Sequence, residues 1–215
     1  MTPDFAKAVD PVFLYVLDLL ERINSDQSLP VQQERLRIRE MVHSAEAQLG
    51  HGENWELAKY ALCTWIDEVL IEAPWGENAH WWKENTLEWD FFKTSSAHED
   101  FYRKAREAAS LQRKDSLEVF YVCAVLGFRG LYRNPNEAAF FISQLDLPPT
   151  LEEWAKQTSM AIQLGRDRPS ITDASVPIEG APPLDGPFVL IWSGLLALIL
   201  VVLNVTLGLL LFGTR

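Results

Sequence analysis

Residues 55–73 read WELAKYALCTWIDEVLIEA, with Asn54 before them and Pro74 just after. Apolar positions recur along this stretch at helical spacing. Asn54 is a capping residue type, and a proline cannot continue a helix. The stretch therefore predicts a helix of about five turns. It carries two adjacent carboxylates, Asp67 and Glu68, flanked by Trp65, Ile66, Val69 and Leu70. Neighbouring helical residues point about 100° apart, so both acids cannot enter one core without partners. Three readings follow. One carboxylate faces solvent while the other makes an internal ion pair. Alternatively, Asp67, Glu68 and Glu72 rim an acidic surface that recognises a partner. The third reading, a general acid and base, is the least supported, because no nucleophile or metal ligand accompanies the pair.

Helical patterning continues on both sides and no alternating strand appears, so the fold class is all-α. Upstream, Pro3 opens a first helix with Phe5, Val9, Phe13, Val16, Leu17 and Leu20 on its apolar stripe, ending at Asn24-Ser25. Pro30 opens a second, with Leu36, Met41, Val42, Ala45 and Leu49 as its apolar residues, ending at 50–52 (Gly-His-Gly). Downstream, a loop rich in tryptophan follows Pro74. Ser96 with Glu99, and Asp115 with Glu118, have the spacing of a capping box and open a fourth and a fifth helix. Asn134-Pro135 opens a sixth, and Thr150 with Glu153 a seventh. Six of the eight tryptophans fall within 55–89. Trp75, Trp81 and Trp82, with Trp89, Phe91 and Phe92, either plug the joint between helices as core or form a partly exposed patch for a partner.

Residues 188–212, FVLIWSGLLALILVVLNVTLGLLLF, carry no charge. At 1.5 Å per residue they reach about 37 Å, enough to cross a ~30 Å hydrocarbon core with some tilt. They predict a C-terminal transmembrane helix with Trp192 at the cytoplasmic interface. Residues 165–187 hold five prolines and read as a tether. The expected organisation is a helical domain over 1–164, the tether over 165–187, the span over 188–212, and a short tail at 213–215 on the far side of the membrane. The first residues read as an amphipathic helix rather than an export signal, which places the domain in the cytoplasm. Within the span, Asn204 is the polar exception, and Ser193 and Ala197 share a face at i, i+4. These three are candidate contacts to another transmembrane helix, including a second copy of the chain.

Of the chain's 19 basic residues only Arg215 lies beyond the span, and all 30 acidic ones precede it, so the part before the span carries a formal −12. Such a domain repels phosphate backbones, which argues against nucleic acid and for a basic protein partner. Cys63 and Cys123 lie in apolar helical stretches and are expected as buried, reduced thiols. His43, His51, His80 and His98 form no metal-ligand pair at helical spacing. There is no phosphate-binding glycine loop or nucleophile elbow. No enzyme activity, cofactor or metal is implied.

Residues 61–76 (ALCTWIDEVLIEAPWG), then Trp82, Phe91-Phe92, Phe101-Tyr102 and residues 117–133 (LEVFYVCAVLGFRGLYR), resemble the DotU/TssL family, also called IcmH/DotU. The resemblance covers about residues 5–212, and its closest matches are residues 65–68 and 126–130. It implies an inner-membrane component of the type VI secretion system, with relatives in the type IVB system. It further implies two small helical bundles hung from one span, and a scaffold that joins the envelope complex to the cytoplasmic baseplate. The implied partners are a large TssM/IcmF-type protein, a TssK-type adaptor and, through the complex, an outer-membrane lipoprotein. Where the family often has Gly-Arg-Tyr, this chain has Gly130-Leu131-Tyr132. A DotU-like component of a type IVB secretion system is the first competing reading, and a tail-anchored hydrolase using Asp67 and Glu68 the second. A concave pocket holding both carboxylates with a raised pKa would favour it, and none is expected.

Overall fold

A computed structural model describes residues 1–25, 27 and 30–165, and in the C-terminal run residues 192, 194–196, 198, 199 and 202. The chain divides into two compact units, Met1–Asp167 and Arg168–Arg215. The first contains α1 (Pro3–Asn24), α2 (Val31–Leu49), α3 (Glu53–Glu72), α4 (Glu77–Glu84), α5 (Leu87–Phe92), α6 (Ala97–Ser110), α7 (Asp115–Val125), a 3-10 turn (Gly130–Arg133), α8 (Pro135–Gln144) and α9 (Leu151–Gly165). No strand occurs among the described residues.

The helix read at 55–73 is the axis of this unit. It packs against α2, α4, α5, α6 and α7, and Phe13 of α1 lies 5.0 Å from the Trp65 ring. Trp55, Trp65, Leu62, Cys63 and Ile66 are all fully enclosed. Each such side chain contributes about 1.5–3 kcal/mol by leaving water. On the far side, Phe101 of α6 stacks on Phe128 at 3.8 Å and meets Phe120 of α7 at 4.8 Å. Cys63 and Cys123 are free and buried, as expected, and burial pushes both thiols well above the usual range.

Helix ends follow their sequence signals more closely than helix faces do. Pro3 and Pro135 sit in the first turns of α1 and α8, and the Thr150 hydroxyl accepts the Glu153 N–H at 3.2 Å. The stripe on α1 turns differently from the expected one. Leu19 and Ile23 are buried, Leu17 is exposed and Leu20 is only partly covered, because α1 packs on both α2 and α3. On α2, Ile38 rather than Leu36 enters the core.

Four local assignments change. Lys114, not Asp115, precedes α7, and it makes no side-chain cap bond. Gly52, not Asn54, precedes α3; Asn54 instead accepts the Ser116 N–H at 3.0 Å and so caps α7 from another helix. Ser96 makes no cap bond and donates to Asp100 at 2.7 Å. The tryptophan-rich segment is two short helices, α4 and α5, rather than a loop.

In the second unit, residues 192, 194–196, 198, 199 and 202 are helical, and all but Gly194 carry exposed apolar side chains, Trp192 and Leu198 among them. Among the described residues no helix is long and apolar enough to cross a membrane. Ser193, Ala197 and Asn204 lie outside the described residues.

Candidate functional site: the cleft beside the acidic pair

α3 brings Asp67 and Glu68 to the same level of the helix and aims them at different segments. Asp67 is 5% exposed. Its Oδ1 accepts the Trp82 indole N–H and the Leu87 N–H, and its Oδ2 accepts the Glu88 N–H, all at 2.8 Å. Leu87 and Glu88 are the first residues of α5, whose opening N–H groups lack helical partners. The carboxylate therefore holds α4 and α5 on α3 with one group. Burial pushes its pKa up to about 7, against the pull of the three donors.

Glu68 faces the other way. It accepts the Arg129 N–H at 2.7 Å and the Gly130 N–H at 3.2 Å, and pairs with the Arg133 guanidinium at 2.7 Å. It thus fastens the 3-10 turn. That turn needs its glycine: Gly130 has φ +49°, and a Cβ there would stand 2.8 Å from the Phe128 ring and 3.2 Å from the His98 carbonyl. Arg133 also pairs with Glu72, whose side chain is about half exposed.

The two segments behind the family resemblance meet here. The Trp65 indole donates to the Leu126 carbonyl at 3.3 Å, and Glu68 takes the N–H groups of Arg129 and Gly130. Neither contact is visible in the sequence, because each joins residues about sixty positions apart.

Between the two clasps lies a cleft of about 290 Å³ lined by Asp67, Glu68, Glu88, Thr64, Thr86 and Arg133, among others. This overturns the expectation that no concave pocket holds both carboxylates. Yet both Asp67 oxygens are taken by donors, and Glu68 is taken by a turn and a guanidinium. The pair acts as two structural acceptors, and acid–base work would require breaking one clasp.

Of the aromatic candidates, Trp82 is fully buried and Trp75 is 8% exposed, while Trp81 is half-buried. Asp67, Trp75 and Trp82 are therefore out of reach of a partner that docks on the folded body. Trp89 is 56% exposed and Phe91 half-buried, so the patch reading applies to α5. Sequence reasoning missed Glu88, which is 5% exposed and gathers Tyr60, Thr94 and Ser96. An acid set within Leu87, Trp89, Phe91 and Phe92 was the available signal.

A second polar cluster joins Glu46, His51 and Glu56, whose ligand atoms lie within 4.8 Å of one another. The Lys59 ammonium stands 2.7 Å from Glu46 and 2.9 Å from Glu56, so a resident cation already neutralises them.

The sequence model of the family described as type VI secretion system protein DotU matches residues 4–212. The chain belongs to the DotU family. No curated protein matches it. Its fold is that of the cytoplasmic domain of TssL from Acinetobacter baumannii, with a TM-score of 0.62 at 20% identity, covering 77% of this chain and 100% of that one. In this DotU-family chain Asp67 sets the position of α5 on α3, and Glu68 sets that of the 3-10 turn.

Proposed function

We propose that this chain is a tail-anchored, non-enzymatic scaffold of the type VI secretion membrane complex, with residues 188–212 crossing the bacterial inner membrane and the helical body in the cytoplasm. The observation that carries the reading is that the family match runs without a break from the body through the apolar C-terminal run. On this reading the body is two small bundles sharing α3. The span contacts a large TssM/IcmF-type protein, with Ser193, Ala197 and Asn204 at the interface. The body contacts a TssK-type adaptor of the baseplate. The outer-membrane lipoprotein is reached through the complex.

The contact surface on the body is the outer edge of the cleft. Glu72 is the exposed acid there and Glu68 lies just inside it; Trp81, the half-buried ring of α4, is the aromatic candidate for a partner. Its negative charge suits a basic partner surface, where rim charges steer encounter.

The test is recovery of partners from membranes by full-length protein and by residues 1–164, after gentle crosslinking. Full-length protein is expected to recover a large membrane protein and a baseplate protein, and 1–164 the latter alone. Glu72→Lys should weaken the second contact without changing the melting temperature. Recovery of free monomer alone would sink the scaffold reading. The hydrolase reading has the cleft and the raised Asp67 pKa in its favour; turnover by purified protein that disappears in Asp67→Asn would establish it instead.

A further inference from the structure

α6 packs on α9 with small residues at part of the joint. Ala105 and Ala109 of α6 and Ala161 of α9 line a trough of about 360 Å³, and Leu117 and Leu147 add aliphatic wall. That volume falls within the ~300–1,000 Å³ of ligand pockets. Larger side chains at the three alanines would close it, because packed helices normally leave no such void.

The trough is preformed. The Arg106 guanidinium donates to the Leu145 carbonyl and, at 3.1 Å, to the Asp146 carbonyl. The Tyr132 hydroxyl donates to the Pro148 carbonyl at 2.7 Å. The link between α8 and α9 is therefore held at two points, and a ligand meets a fixed wall.

Two polar side chains remain for that ligand. Trp154 and Thr158 stand one turn apart on α9, 6% and 7% exposed, and both line the trough. Among the described residues neither the Trp154 indole N–H nor the Thr158 hydroxyl makes a hydrogen bond. Neither atom is sealed in the core, so the open side of each is the trough. An indole N–H can only donate, so the ligand must bring an acceptor. The charged residues of the lining, Arg106 and Asp146, cancel each other, which suits a neutral ligand. A peptide carbonyl is a neutral acceptor, and the aliphatic walls suit the side chain beside it.

We infer that the trough binds an extended segment of a protein partner, which inserts one aliphatic side chain and sets a neighbouring backbone carbonyl on the Trp154 N–H and the Thr158 hydroxyl. None of the residues of the docking edge proposed above takes part.

The experiment titrates isotope-labelled full-length protein in nonionic detergent with N-acetyl-leucine N-methylamide. It reads the Trp154 indole N–H resonance, assigned by its absence in Trp154→Phe. This diamide should shift the resonance in a saturable way. N-acetyl-glycine N-methylamide, which lacks the side chain, and free leucine, which lacks a neutral carbonyl, should not. Thr158→Val, which keeps the shape and removes the hydroxyl, should weaken binding about fivefold. Ala109→Leu, which fills the trough, should abolish binding; should that variant not fold, Thr158→Val still decides. Absence of a saturable shift, an equal shift with free leucine or with the glycine diamide, or an unchanged affinity in Thr158→Val would overturn the assignment.

Discussion

Asp67 and Glu68 are neighbours in sequence and serve two regions of different character. The Asp67 side is dry: its donors are two backbone N–H groups and an indole, none charged. The Glu68 side is wetter: it adds a guanidinium that is 41% exposed. The same functional group is therefore a buried acceptor on one side and an ion-pair partner on the other. What decides is the segment each one meets. α5 needs its first N–H groups satisfied inside the core, whereas the 3-10 turn lies at the surface. Loss of Asp67 should cost more than loss of Glu68, and surface charge should matter only on the Glu68 side.

The largest effect is expected from Asp67→Ala, which leaves three buried donors without an acceptor. A loss on the order of 3 kcal/mol in denaturant unfolding is expected. Gly130→Ala tests the other region through its backbone. The left-handed conformation and the close approach to Phe128 should cost about 2 kcal/mol. Glu68→Gln keeps an acceptor and loses the charge facing Arg133, for about 1 kcal/mol. Arg133→Gln should change stability by less than about 1 kcal/mol, because a half-exposed pair is screened.

The contrast extends to pH. Asp67 has a folded value of about 7, above the ordinary 3.8. The folded state therefore holds this proton more tightly than the unfolded chain does. The stability it contributes is complete below about 3.8 and is lost as pH rises through about 7. Melting temperatures between pH 4 and 8 should fall along this slope in the wild type, and the slope should be missing in Asp67→Asn. A wild-type slope that survives in Asp67→Asn would assign it to another group.

Much of the fold is legible in the sequence, because helix ends carry local signals. Pro3, Pro135 and Thr150 act within one turn of their own position, and the structure keeps them. Faces are less legible. Leu17 and Leu19 are equally apolar, and only the placement of α2 and α3 selects Leu19. The two helices of the tryptophan-rich segment were hidden for a different reason. At eight and six residues they are too short to show periodicity, and α5 depends on a carboxylate twenty positions away. The acidic pair was visible as an anomaly, but its partners were not. Glu88 was overlooked because its donors come from Tyr60 on α3 and from Thr94 and Ser96 beyond α5, contacts that no local pattern shows.

The division of labour between the two acids is tested most directly by amide hydrogen exchange in Asp67→Ala and Glu68→Ala. Asp67→Ala should speed exchange at Leu87 and Glu88 and leave Arg129 and Gly130 protected. Glu68→Ala should do the reverse. Loosening of both segments by either substitution, or of neither by both, would contradict two separate clasps on α3.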